Sequence, residues 1–169
     1  MTQVTESIEI MEDTQKNRFL TFAVGKEIYG IEIMHVTEII GIQSITAVPE
    51  LPDYLKGIIN LRGKIIPVMD VRLRFKKEPK KYDDRTCVIV IDVESSPIGL
   101  IVDNVAEVLT IPETDIVEPP KLNNGFSSSN FVNRIGKTGN EVKLLLDCRK
   151  LLSEKESAEL NELPHLMHH

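Results

Sequence analysis

Three aspartates stand at the ends of strand-like runs: Asp70, Asp103 and Asp147. Carboxylates so placed do acid–base work when a positioned histidine, lysine or hydroxyl accompanies them. No such constellation adjoins these three, and a turn or cap role fits them. His35 is the sole histidine before the terminal His165, His168 and His169. It has no Cys or His at ligand spacing, so no metal centre is expected. Cys87 and Cys148 lack a CxxC arrangement, sit among apolar neighbours and read as small core residues without a disulfide. Phosphate-cradling glycine loops and the GxSxG elbow are absent. No catalysis and no cofactor are expected.

One stretch suits recognition instead. In Asn60-Leu61-Arg62-Gly63, Gly63 fits a tight turn that needs positive φ. Arg62 would project from the apex. It either pairs with a nearby acid such as Glu38 or anchors a protein interface, where a guanidinium on an aliphatic stem is favoured.

The elements that must hold these residues are mostly strands. Arg18–Val24 and Glu27–Ile33 form a hairpin across Gly25-Lys26, with Gly25 at the first central position of a type II′ turn. Ile33, Val36, Ile39 and Ile40 recur at helical spacing, which predicts a short helix over 34–41. Ile45–Val48 reads as a strand, as do 56–61 and 64–70. Pro67 marks the last of these as an edge or bulged strand. Thr86–Val93 is continuously apolar or β-branched and fits a strand buried on both faces. Ile98–Val102 is a further strand, and Val102, Val105, Val108 and Leu109 repeat the helical spacing. The 123–129 segment is a loop by composition. Phe131–Gly136 and Glu141–Asp147 form a hairpin. An amphipathic helix is predicted over 148–162.

The two halves resemble each other. A shift of 69 residues lays Phe19–Phe22 on Val88–Ile91, Tyr29-Gly30-Ile31 on Ile98-Gly99-Leu100, Val36 on Val105 and Glu38 on Glu107. After a slip of eight residues, Asp70-Val71-Arg72 falls on Asp147-Cys148-Arg149. Each copy reads as a hairpin, a short helix and three strands. Units of about 65 residues are near the lower limit for a self-sufficient core. Two such copies should pack together, with a groove at the seam.

The chain has 169 residues and a net charge of -6. Residues 1–17 carry four acids and one base, and so do residues 153–169, so each tail holds -3 and the body 18–152 is neutral. Residues 1–17 read as a mobile tail, and 153–169 as the end of the final helix with an acidic tail. A neutral body with acidic ends is a poor counterion for phosphate backbones. The one basic stretch, Arg72–Arg85, holds seven bases against three acids and reads as a solvated connector. A β-barrel nucleic-acid binder using this stretch is the alternative from a different class. No apolar run approaches the roughly 20 residues of a membrane span. No export signal is visible, and two unpaired cysteines suit a cytoplasmic setting.

The residues resemble the CheW family. The match runs through Phe22–Ile33, Val36-x-Glu38-Ile39 and Val48-Pro49-x-x-Pro52. It continues through Gly57-Ile58-Ile59-Asn60-Leu61-Arg62-Gly63, Ile66-Pro67-Val68-x-Asp70, Gly99–Val105 and Leu144–Asp147, covering about residues 18–152. The resemblance implies a mostly β fold of two intertwined, five-stranded SH3-like barrels, at approximately 18–80 and 81–152. It implies a non-enzymatic adaptor that joins chemoreceptors to the histidine kinase CheA, monomeric alone and arrayed at the membrane in complex, with no direct membrane insertion and no nucleic acid. A detached regulatory domain of a CheA or CheV-like protein is the alternative on the same fold. The chain's length argues against it, leaving no room for a receiver or ATP-binding domain.

The helical receptor tip would lie in a groove formed by Ile33, Val36, Gly57, Asn60, Arg62 and Gly63 from the first unit, with Val102 and Val105 from the second. The kinase surface would comprise Ile42, Ile45, Ala47, Val48, Lys64 and Ile65. Gly57 would let a partner backbone come close, so a larger residue there would block binding at little cost in stability.

Overall fold

The computed structural model describes residues 16–120 and 131–151. Eleven strands order this body. They are β1 (Arg18–Val24), β2 (Glu27–Glu32), β3 (Val36–Gly41), β4 (Leu55–Leu61), β5 (Lys64–Asp70) and β6 (Cys87–Val93). β7 (Ser96–Val102), β8 (Asn104–Thr110), β9 (Ile116–Val117), β10 (Val132–Thr138) and β11 (Glu141–Leu146) follow. A one-turn helix, α1 (Val71–Arg74), follows β5, and a 3-10 turn at Cys148–Lys150 follows β11.

The hairpin turns follow their sequences. Gly25 takes φ +65° between the paired ends Val24 and Glu27. Arg62 and Gly63 both take positive φ, +52° and +87°, between Leu61 and Lys64. That is the type I′ pattern, whose twist matches flanking antiparallel strands.

The repeat is real at the level of strands. β1, β2 and most of β3 recur 69 residues later as β6, β7 and β8, while β4 and β5 recur 77 residues later as β10 and β11. The sheets, however, cross the boundary between the copies. One runs β8-β1-β2-β11-β10-β9 and the other β3-β6-β7-β5-β4. Each sheet therefore combines the first hairpin of one copy with the later strands of the other. The division near residue 80 separates sequence copies, not sheets.

The second sheet curls until its edges meet. There β3 and β4 are opposite edges, yet Arg62 at the tip of β4 bonds Glu38 on β3. Between them Thr46 bridges Ile58 through two backbone hydrogen bonds of 2.9 Å. In the first sheet β9 takes the corresponding place, with Val117 opposite Ile135. Alternate residues of the buried strands face different interiors. Val88 and Val90 join Ile59, Ile66, Val68 and Ile101 inside one sheet, while Ile89 and Ile91 face the other way. They enter the largest cluster, where Leu20, Phe22, Ile31, Met69 and Leu100 fill the seam between the sheets. The seam is thus a packed core.

Several expectations are corrected. The predicted helices over 34–41 and 102–109 are the strands β3 and β8, apart from a 3-10 turn at Ile33–His35. A register shift between Val36 and Glu38 displaces the period-two alternation and imitates helical spacing. The Ile45–Val48 strand reduces to the single Thr46 bridge. β5 is an interior strand, but parallel pairing with β7 begins only at Val68. Ile58 turns its backbone groups to Thr46, so its opposite number Pro67 faces away from β4, toward a side with no ladder to feed.

Lys16 and Asn17, the end of the expected mobile tail, are tied down: Lys16 pairs with Glu113, and the Asn17 carbonyl accepts from the Ile111 N–H, while residues 1–15 lie outside the described residues. The expected loop at 123–129, the rest of the C-terminal helix and the acidic tail lie outside the described residues.

Candidate functional site

Asp70 and Asp147 cap the short turns that follow them, accepting from the backbone N–H groups of Leu73 and Arg149. Asp103 does something else. Arg72 donates from Nε and Nη2 to its two oxygens at 2.8 and 2.9 Å. The Gly25 N–H adds a third bond at 2.9 Å. Burial alone would raise the Asp103 carboxyl, but these bonds outweigh it and hold it below the usual carboxylate range. Cys148 is buried, and burial foremost pushes its thiol up to about 12. That fits the core role expected of it, while Cys87 is half-buried against the seam. No cluster of His, Cys, Asp and Glu fit to hold a metal occurs among the described residues.

The basic stretch is a solvated connector only in part: Lys76, Lys80, Lys81 and Arg85 are exposed, while Arg72, Arg74 and Lys77 are engaged. Arg72 is locked to Asp103, Lys77 bonds Glu27 at 2.7 Å, and Lys80 pairs with Asp83. Arg74 lies between the Tyr54 and Phe131 rings, 4.8 and 4.3 Å from their centroids, and donates to the Leu151 carbonyl. Arg72 and Arg74 staple the two copies together, whereas the Lys77 pair lies within the first copy and the Lys80 pair within the connector.

The expected groove residues divide into three groups. Asn60, Arg62 and Gly63 are exposed at the β4–β5 tip, where Asn60 Oδ1 accepts from the Gly63 N–H at 2.9 Å. Arg62 makes the expected pair with Glu38, which ties this tip to β3 two residues beyond Val36. Ile33, Val36 and Val105 are half-buried on the margin of the seam core. Val102 and Gly57 are buried, so neither offers exposed surface to a partner. Of the expected kinase surface, Ala47 and Lys64 are exposed. Ile42, Ile45, Val48 and Ile65 are half-buried against two core clusters. The two surfaces share the β4–β5 hairpin, since Asn60 sits opposite Ile65 and Leu61 opposite Lys64.

Sequence reasoning missed Ile39 and Val108, large apolar residues left 44% and 42% exposed. They are repeat partners on β3 and β8 and extend the apolar margin beyond Val36 and Val105. The repeat register matched them to each other, but apolar residues matched between copies were expected to be core, so it did not single them out.

Candidate contacts thus gather on edge strands and a hairpin tip, around paired, strand-exchanged sheets. This is the layout of a protein-docking β-module. The family model described as "CheW-like domain" matches residues 18–156, and the chain belongs to that family. The chemotaxis protein CheW of Klebsiella aerogenes is 36% identical over 146 residues, covering 86% of this chain and 87% of that protein. The CheW of Treponema pallidum is 33% identical over 150 residues, covering 86% and 88%. The crystal structure of the scaffolding protein TtCheW from Thermoanaerobacter tengcongensis aligns with a TM-score of 0.76 at 35% identity, covering 83% of this chain and 96% of that one. These relatives support the same role here, a chemotaxis scaffold. Among the described residues, no helix is long and apolar enough to cross a membrane.

Proposed function

We propose that this protein couples chemoreceptors to the histidine kinase CheA, as a non-enzymatic adaptor recruited from the cytoplasm to membrane receptor arrays. The observation that carries the reading is the β4–β5 tip, locked to β3 through Arg62 and Glu38. It holds a guanidinium two residues along β3 from the half-buried Val36, and Val36 and Val105 pack against the same core cluster. A receptor's helical hairpin would lay apolar side chains against Ile33, Val36 and Val105, the helix-in-groove mode, while Arg62 fixes register at the rim. The regulatory domain of CheA would dock through Ile42, Ile45, Ala47, Val48, Lys64 and Ile65. Contacts of this kind are small, and many copies in an array would supply avidity.

Co-purification with a receptor cytoplasmic fragment and with CheA, separately, tests both contacts. Val36→Arg should abolish receptor capture and leave CheA capture intact. Lys64→Glu with Ala47→Arg should do the reverse. A Val36→Arg chain that unfolds, or that loses both partners alike, would return Val36 to the core and sink the receptor assignment.

A further inference from the structure

The two copies differ at one polar junction. In the first copy Arg72 is held by Asp103, the Gly25 N–H bonds the same carboxylate, and Arg72 Nη1 donates to the Glu78 carbonyl at 2.8 Å. The 77-residue shift carries Arg72 to Arg149, the second residue of the turn capped by Asp147. The 69-residue shift carries Gly25 to Glu94, and relates Asp103 to Met34. Glu94 keeps the left-handed turn conformation, at φ +51°. The carboxylate is what is lost. Met34, its replacement, is 58% exposed, and Arg149 makes no ion pair among the described residues.

A hollow of about 230 Å³ occupies this place, lined by His35, Asp92, Val93, Glu94, Cys148 and Arg149. Under the same shifts these positions become Asn104, Ala23, Val24, Gly25, Val71 and Arg72. Of those residues, Arg72 and Gly25 bond the Asp103 carboxylate, the Ala23 carbonyl accepts from the Asp103 N–H, and Asn104 follows it in the chain. The hollow therefore matches the Arg72–Asp103 junction without the Asp103 carboxylate, and it carries Asp92 and Glu94 where that junction has Ala23 and Gly25.

We propose that Arg149 and the Glu94 N–H form an open cradle for a carboxylate side chain, supplied by a docking partner. Arg72 shows what the arrangement can hold, a forked guanidinium–carboxylate pair with a backbone N–H on the second oxygen. The cradle adjoins Ile33 and Val36, so the acid belongs to the helical receptor segment assigned to that margin. On this point the inference rests on the coupling reading. Asp92 and Glu94 are exposed and oppose an incoming acid, so they set the sign of a control.

Met34→Asp in the full chain should rebuild the missing junction. Its melting midpoint should rise by about 3 °C, and Arg149→Ala should erase the gain. If Met34→Asp melts no higher, or gains equally without Arg149, the cradle does not exist. Binding of a receptor cytoplasmic fragment should weaken about ten-fold in Arg149→Ala. Met34→Asp should weaken it similarly, because the cradle is filled, and the double variant should be no worse. Asp92→Asn should tighten binding. Weaker binding in Asp92→Asn would mean that the hollow takes a cation, which overturns the proposal, as would unchanged affinity in Arg149→Ala. A wild-type chain that binds no receptor fragment would refute the coupling reading and the assigned donor of the acid. The melting arm would still decide whether the cradle forms.

Discussion

The carbonyl oxygen of Thr46 sits where a side chain on Gly57 would begin. A Cβ built on Gly57 would lie 2.0 Å from that oxygen and 3.0 Å from the Ala47 Cα. The glycine also holds φ +141°, which L side chains rarely adopt. It makes room for the chain's own closing segment, and the expectation that it opens the surface to a partner is replaced. Gly57→Ala and Gly57→Asp should each destabilise the fold by at least about 2 kcal/mol, lowering the melting midpoint by roughly 4–8 °C. A Gly57→Asp protein that melts like wild type yet fails to bind receptor would restore the partner-approach role.

Arg62 separates structure from recognition more cleanly. Its side chain is 70% exposed, so the Glu38 pair contributes less than about 1 kcal/mol. Its backbone lies at φ +52°, which glycine accepts without strain. Arg62→Gly should therefore keep the melting midpoint within about 2 °C of wild type while weakening receptor-fragment binding. Equal binding by calorimetry would remove Arg62 from the interface.

The Arg72–Asp103 junction predicts a pH dependence. The Asp103 carboxyl titrates below its unfolded value. Its stabilisation is therefore complete above about pH 4 and is lost as pH falls through the folded value. Asp103→Asn should reduce stability at neutral pH by about 3 kcal/mol and flatten the acid limb of the stability curve. Urea denaturation of both proteins at neutral and acid pH measures this. Parallel acid limbs would assign the acid sensitivity to other carboxylates.

Arg74 stands where the copies meet. Repeat-related residues converge on it: Tyr54 and Phe131 stack on its two faces, and its own counterpart Leu151 accepts its Nε–H at 2.6 Å. Burial lowers the affinity of its guanidinium for a proton. Lysine keeps the charge but cannot present a flat face to both rings. Arg74→Lys should lose about 1 kcal/mol and Arg74→Ala about 2–3 kcal/mol in chemical denaturation. Equal stability of Arg74→Lys and wild type would show that charge alone matters at this point.

Local chemistry was readable from the residues, and long-range pairing was not. The hairpin turns at Gly25 and Gly63, the strand at Thr86–Val93 and the capping roles of Asp70 and Asp147 follow from residue types a few positions apart. The register of the repeat was equally plain. What the repeat cannot encode is which copy supplies each neighbouring strand, because β1 and β6 are matched sequences and either could pair with β8 or β3. The false helices at 34–41 and 102–109 came from register slips, between Val36 and Glu38 and, opposite β8, between Leu20 and Phe22. Such slips break period two without leaving a mark in composition. At the candidate site, the Arg62–Glu38 pair was legible as one of two options. Burial of Val102 and the internal use of Gly57 depended on a packed seam that no local pattern describes.

The exchange of hairpins between the copies also bears on how such a chain can be cut. Severed in the Arg72–Arg85 connector, either half would carry a two-stranded ribbon of one sheet and later strands of the other, three in the first half and four in the second. Each fragment would present raw edges that only the other fragment matches. The whole therefore has the logic of a dimer of half-length chains that a tether has made permanent, and its two halves should regain the fold only when both are present.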